Sequence, residues 1–119
     1  MADHYELGKK GEQVACDFLL EKGYEILSRN YHFQKAEIDI IAQVKELLVV
    51  VEVKTRTSVY YGNPQDFVNE KKIKLLVKAI NKYVDDNDID LEIRFDIVAI
   101  VFEKNKFSVE HIEDAFLHF

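Results

Sequence analysis

Two acidic residues and a lysine have the types and spacing needed for chemistry on a phosphodiester. Glu52 and Lys54 end the apolar run at residues 47–54 (LLVVVEVK), and Asp39 lies in the segment EIDII thirteen residues before Glu52. Alternate residues of a strand share one face, so this run presents a carboxylate and an ammonium side by side at the end of a buried strand. Together with Asp39, the pair suits metal-dependent phosphodiester hydrolysis.

The strands that carry these residues are predicted to form a hairpin. A two-residue turn at residues 45–46 pairs positions whose numbers sum to 91, so Asp39 faces Glu52. In the same register, Glu37 faces Lys54. Carboxylates whose Cβ atoms are roughly 5 Å apart repel unless a proton or a cation lies between them, and a hard divalent cation is one solution. The alternative is a strand end in water, where Glu and Lys pair across the sheet.

The elements that must position these residues follow the order α-β-β-β-α-β-β, which predicts an α/β fold with a mixed sheet flanked by helices. The first helix spans residues 6–22 and ends at Gly23; the second spans about 66–84 and starts at Pro64 and Asp66. The second helix buries a stripe of apolar residues: Ile73, Leu76, Val77, Ile80 and Val84. Strands are predicted at 24–33, 36–43, 47–55, 92–102 and 106–112.

Composition indicates one domain over residues 1–119. The 119 residues are 48% hydrophobic, which is enough to build one core, and the chain contains no repeat and no linker rich in Gly, Ser or Pro. No apolar run approaches the roughly 18 residues of a membrane span, and the first ten residues lack a signal-peptide core, so we expect a cytoplasmic protein. The single cysteine, Cys16, excludes an internal disulfide and is expected to be buried in the first helix.

Charge is segregated along the chain although the net charge is −6. Residues 54–82 contain seven Lys and Arg residues against Asp66 and Glu70, so this third of the chain carries +5 and the rest carries −11. A chain of this kind can present one positive surface to phosphate while it stays acidic elsewhere.

Candidate binding residues lie in this basic third. Lysines on one face of the second helix could follow a nucleic-acid backbone or could form an ordinary solvated face: Lys71, Lys74, Lys78 and Lys82. Arg56 lies on the same side of its strand as Lys54 and is a phosphate-binding candidate. Tyr60 and Tyr61 could stack on unpaired bases or pack beneath their loop.

Five ordered blocks of sequence carry a resemblance to a known family. They are GKKGEQVA at 8–15, AEIDIIA at 36–42, VEVKTR at 51–56, YGNP at 61–64 and RFDIV at 94–98. Together they resemble the YraN-type family of bacterial endonuclease-like proteins, which is similar to archaeal Holliday junction resolvases of the PD-(D/E)-x-K nuclease superfamily. The resemblance implies a restriction-endonuclease-like sheet.

The resemblance also implies roles for individual residues. Asp39 and Glu52 match the acidic metal ligands, Lys54 matches the catalytic lysine, and Glu12 matches the acidic residue of the first helix. A Mg²⁺ or Mn²⁺ ion held by these carboxylates and by a backbone carbonyl near Val53 would bind the scissile phosphate and activate water.

Two functions of different classes follow. The first is a metal-dependent endonuclease that acts on branched or structured DNA, rather than RNA, in the manner of a Holliday junction resolvase. The alternative is a catalytically weak nuclease-fold module that binds nucleic acid or a partner protein. Junction-resolving relatives act as dimers, which suggests a homodimer here, and Phe116 and Phe119 would lie either in that interface or in the core.

Overall fold

The computed structural model describes residues 2–57 and 68–116, and of residues 2–4 it describes the backbone only. In this part of the chain there are two helices and five strands: α1 (Ala2–Glu21), β1 (Glu25–Phe33), β2 (Ala36–Val44), β3 (Leu47–Arg56), α2 (Glu70–Asn87), β4 (Glu92–Glu103) and β5 (Lys106–Ile112). The predicted α/β class and the order α-β-β-β-α-β-β are confirmed.

The strands form one mixed sheet in the order β1-β2-β3-β4-β5. Neighbours pair antiparallel except for β3 and β4, which run parallel through ten pairs from Leu47–Glu92 to Arg56–Val101. A parallel pair requires a crossover, and α2 lies within that connection. The carboxyl end of β3 therefore lies beside a strand that runs the same way.

Each face of the sheet is covered by one helix. Leu76, Ala79 and Ile80 of α2 are buried with Ile38 and Val50 on one face. On the other face, residues of α1 are buried against the sheet: Ala15, Cys16 and Leu19. The predicted stripe on α2 and the buried position of Cys16 are confirmed.

Gly11 allows α1 to lie close to β3. A Cβ atom built on Gly11 would overlap Oγ1 of Thr55 and lie 2.9 Å from its Cβ, so the Thr55 side chain occupies the space that a side chain at position 11 would need. Glu12, the residue of this helix to which the resemblance assigns a role, directly follows Gly11.

The carboxyl end of α1 agrees with the prediction, whereas its start, at Ala2 rather than residue 6, and both ends of α2 differ. Gly23 follows α1 with φ +92°, a conformation that glycine adopts without strain. The expected start of α2 at Pro64 and Asp66 is wrong: the helix begins at Glu70, because Asn69 caps it by accepting the N–H of Lys72 at 2.8 Å. The helix also runs past residue 84 to Asn87.

Of the two aromatic residues near the carboxyl terminus, Phe116 belongs to the core, where its ring lies 6.0 Å from that of Phe95. Phe119 lies outside the described residues. Neither helix of the described chain is apolar enough over its length to cross a bilayer.

Candidate functional site

The predicted hairpin register is confirmed for residues 40–44 and 47–51, but the ladder does not include the predicted pair of Asp39 with Glu52. β2 pairs with β3 from Val44–Leu47 to Ile40–Val51, so paired numbers sum to 91. The ladder ends there, one position before Asp39 and Glu52. Instead of continuing it, the Asp39 carboxylate accepts the backbone N–H of Val53 at 2.8 Å.

An irregularity in β2 accounts for this arrangement. Ile38 is buried in the layer beneath α2, whereas Ile40 is buried in the layer beneath α1, although two such residues of a regular strand would share a face. In β1, Arg29 pairs with Ile40 and Tyr31 pairs with Ile38. Asn30 lies between these two residues of β1 and has φ 54°. The strands therefore turn at Asp39, and its carboxylate is free to bond to β3.

The same irregularity explains why the predicted Glu37–Lys54 pair is wrong. The β2–β3 ladder does not reach these residues. Glu37 lies across from His32 of β1 instead, with 3.2 Å between its Oε2 and the imidazole Nε2.

Glu52 is a carboxylate buried at the end of the apolar run. Only 3% of the residue is exposed. Its Oε2 forms ion pairs with the ammonium groups of Lys72 and of Lys54, the latter at 3.5 Å, while its buried Oε1 has no hydrogen-bond partner. A buried carboxylate of this kind requires polar partners, and the two lysines supply them to Oε2 but not to Oε1.

Lys72 is the site residue that the sequence reasoning missed. A lysine in a basic helix ordinarily indicates a solvated side chain. The spacing of Lys72 was the available signal: with Leu76 and Ala79 it forms the i, i+4, i+7 series of the buried stripe. The first turn of α2 therefore directs this ammonium toward the sheet.

Asp39 has an unusual protonation equilibrium. Burial raises the pKa of its carboxyl to about 7, and repulsion by Glu52 and Glu12 adds to the effect, although the hydrogen bond from Val53 opposes it. Two carboxylates that disfavour each other's charge at this end of the sheet are the electrostatic condition under which a cation binds favourably.

A cavity of about 370 Å³ opens at this point between the sheet and the start of α2. Asp39, Glu52 and Lys72 line it together with Glu37. A second cavity, of about 680 Å³, lies between α1 and β1; Glu12 lines this one, and Glu37 borders both.

The donor set fits a hard divalent cation only in part. Asp39 and Glu52 offer carboxylate oxygens, one of them buried without a partner, which is the chemistry that Mg²⁺ or Mn²⁺ takes. Within residues 2–57 and 68–116, however, no three Asp, Glu, His or Cys side chains form a group that could hold a metal ion. Glu12 is near enough to raise the pKa of Asp39 but does not complete a third ligand.

The residues predicted to bind nucleic acid have mixed positions. Lys71 lines the cavity beside Lys72, whereas Lys74 is exposed and lies 3.7 Å from Glu70. Lys78 is exposed on α2, and Arg56 is the last residue of β3. Tyr60 and Tyr61 lie outside the described residues.

A second polar cluster is buried at the other end of α1. Asp96 is fully buried and accepts two hydrogen bonds from Arg94, and it also lies 2.8 Å from Nε2 of His111. The Lys22 ammonium lies 2.8 Å from Nδ1 of His111 and can only donate, so Nε2–H donates to Asp96. The position of His111 in the sequence does not indicate this contact, because the contact depends on the pairing of β4 with β5.

Comparison with known proteins gives the family of the chain. The family described as "Uncharacterised protein family UPF0102" matches residues 11–100, which include Glu12, Asp39, Glu52 and Lys54. The chain belongs to UPF0102. UPF0102 is the YraN family, a PD-(D/E)-x-K nuclease-like group, so the resemblance drawn from the sequence is confirmed.

Relatives within UPF0102 match the whole chain. "UPF0102 protein FP2501" of Flavobacterium psychrophilum is 61% identical over 119 residues, which is all of both chains. A UPF0102 protein of Christiangramia forsetii is 55% identical, again over all of both chains. One from Phocaeicola vulgatus is 47% identical and covers 98% of this chain and 96% of its own.

Proposed function

We propose that this protein is a metal-dependent nuclease that hydrolyses phosphodiester bonds of branched or structured DNA, in the manner of Holliday junction resolvases. One observation carries the proposal: the buried Glu52 carboxylate lies beside Asp39 and two lysine ammonium groups on the wall of a cavity open to solvent.

Each of these residues has a role in the proposed reaction. Asp39 and Glu52 would hold a Mg²⁺ or Mn²⁺ ion, which when bound supplies Lewis-acid stabilisation of the phosphate and lowers the pKa of a bound water. Lys54, whose ammonium lies 3.5 Å from Oε2 of Glu52, would offset negative charge that develops on the phosphate oxygens. Glu12, across Glu37 in the second cavity, would act through water rather than directly.

The basic residues around the cavity support binding of a polyanion. Lys71 and Lys72 line the cavity at the start of α2, where the N–H groups of a helix favour negative charge. Lys74 and Lys78 continue outward along the helix, and Arg56 ends β3 beyond Lys54. A strand of DNA would cross this surface; pairing of two protein copies stays a prediction.

The second candidate is a nuclease-fold module that binds nucleic acid or a partner protein and cuts little. The observation that favours it is the pairing of both lysines with Oε2 of Glu52, combined with the missing third ligand among the described residues. In such a site, Lys54 and Lys72 would neutralise Glu52 and would not be available to a phosphate.

A panel of labelled substrates tests the nuclease proposal. Four-way junction, flap, single-stranded and duplex DNA and stem-loop RNA are incubated with Mn²⁺ or Mg²⁺, and cleavage of the junction, flap or single-stranded DNA is expected. Asp39→Asn and Glu52→Gln should each lower the rate by at least about 100-fold, because several kcal/mol of charge stabilisation is lost. Matched changes at exposed positions, Asp90→Asn and Glu103→Gln, should cut at the wild-type rate.

The outcomes separate the candidates. Salt-sensitive DNA binding without cleavage under any condition supports the binding module. Binding that does not change with salt, or cleavage by both site variants at the wild-type rate, contradicts the proposed site.

A further inference from the structure

Lys72 pairs with the same carboxylate that a divalent cation would need. The Lys72 ammonium lies closer to Oε2 of Glu52 than the Lys54 ammonium does. Lys72 and Glu52 line the cavity together with Asp39. We propose that Lys72 is an exchangeable counter-ion: it neutralises Glu52 while no metal is bound, yields this position to a divalent cation, and then binds a phosphodiester oxygen of the substrate. The inference rests on the proposed nuclease function.

The burial of the two partners makes the exchange feasible. The Glu52 side chain is only 4% exposed and lies on a strand held by β4, whereas the Lys72 side chain is 36% exposed and is attached to the first turn of a helix at the cavity mouth. A lysine carries its charge on a flexible four-carbon stem. The carboxylate is therefore fixed, and the ammonium can move outward without any change in the backbone.

Charge balance favours exchange over simultaneous binding. Lys54 and Lys72 both pair with Oε2 of Glu52, so two ammonium groups already accompany this one carboxylate. A divalent cation bound at Glu52 would lie beside both ammonium groups, and close like charges repel. Release of Lys72 from Glu52 toward an anion removes the repulsion and leaves the carboxylate oxygen to the metal.

The surroundings of Lys72 suit a phosphate. Asn69 and Lys71 line the same cavity at the start of α2, where the helix dipole favours negative charge. Lys72 thus lies between the carboxylates of the cavity and the start of α2, where an anion would be favoured. This placement couples metal binding to substrate binding through one side chain.

Metal affinity and DNA affinity, measured separately, test the proposal. Lys72→Met should bind Mn²⁺ about tenfold more tightly than wild type in calorimetric titration, because the competing cation is gone, and Mn²⁺ should raise its melting temperature by more. With Ca²⁺ in place of Mn²⁺, its binding to junction DNA should weaken, and the slope of log affinity against log salt should fall by about one. Lys106→Met removes an equal charge from an exposed position at the start of β5 and should change neither quantity.

Several outcomes would overturn the proposal, and they differ from failure of the nuclease function. Mn²⁺ affinity of Lys72→Met equal to or below that of wild type, or an unchanged salt slope, contradicts the exchange even if wild type cuts DNA. If wild type cuts nothing while both predicted shifts occur, the exchange stands and the nuclease assignment fails. If no variant binds Mn²⁺, both the exchange and the nuclease assignment are contradicted. Lys72→Gln, which keeps a hydrogen-bond donor for Glu52, supplies the same test if the methionine variant does not fold.

Discussion

The carboxylate of Asp39 and the backbone N–H of Val53 are joined by a 2.8 Å hydrogen bond that takes the place of the next backbone bond between β2 and β3. At this point the side chain of Asp39, rather than the backbone of β2, bonds to β3. This bond holds Asp39 beside the strand that carries Glu52, so the two carboxylates approach through a break in the sheet rather than as directly opposed residues of a regular one.

Lys54→Ala should separate catalysis from metal binding. Lys54 contacts Oε2 of Glu52 at 3.5 Å, but it contributes no ligand oxygen. We expect single-turnover cleavage to fall by about 100-fold, as for loss of one transition-state donor, while Mn²⁺ affinity is largely retained. Quench-flow kinetics and calorimetry measure the two quantities, and equal losses of both would contradict the separate roles.

Asp96→Asn should destabilise the fold in a pH-dependent way. Burial alone would raise the pKa of Asp96, but hydrogen bonds from His111 and Arg94 outweigh it and hold this pKa below its ordinary value of 3.8. The unfolded chain then binds more protons in acid, so the stabilisation is present above about pH 4 and is lost as the pH falls further.

At pH 7 the variant should lose about 3 kcal/mol of unfolding free energy, since Arg94 is left without its buried partner. Urea denaturation at pH 3, 4, 5 and 7 measures the difference from wild type, which should shrink toward pH 3. Asp90→Asn, at an exposed position, is the control. A difference that stays constant across this range would show that the charge of Asp96 is not the cause.

Two glycines of α1 should respond to alanine in opposite directions. Gly11→Ala would place a methyl group on the Thr55 side chain, and such overpacking costs about 1–3 kcal/mol. Gly8 has nothing within 4 Å of its would-be Cβ, so Gly8→Ala should stabilise the helix by up to about 1 kcal/mol. Thermal and urea unfolding of the two variants measure this contrast, and a Gly11→Ala protein as stable as wild type would contradict the close helix–strand contact.

The sequence predicted the parts of the structure that depend on local patterns. The two-residue turn was sufficient for the β2–β3 register, because the length of a hairpin turn fixes which residues pair. The apolar stripe of α2 and the terminating role of Gly23 are also local properties. Ordered motifs were sufficient for the family.

What the sequence did not predict depends on contacts between distant segments. The Lys72–Glu52 pair requires α2 to pack over the end of β3, and the His111–Asp96 contact requires the β4–β5 register. The turn of β2 at Asp39 has no distinctive residue in β2 itself. Its sign in β1 is Asn30, a residue type that tolerates positive φ but occurs in many other settings.

β3 has neighbours on both sides through Val51, but beyond that residue its ladder continues only with β4, as far as Arg56. Strand segments with fewer backbone bonds open more readily, so amide exchange should be slow at the root of β3 and faster toward its tip. Glu52 lies at the boundary between these two regimes. We therefore expect amide exchange at Glu52 to be as slow as at the root of the strand, and exchange at Arg56 to be faster.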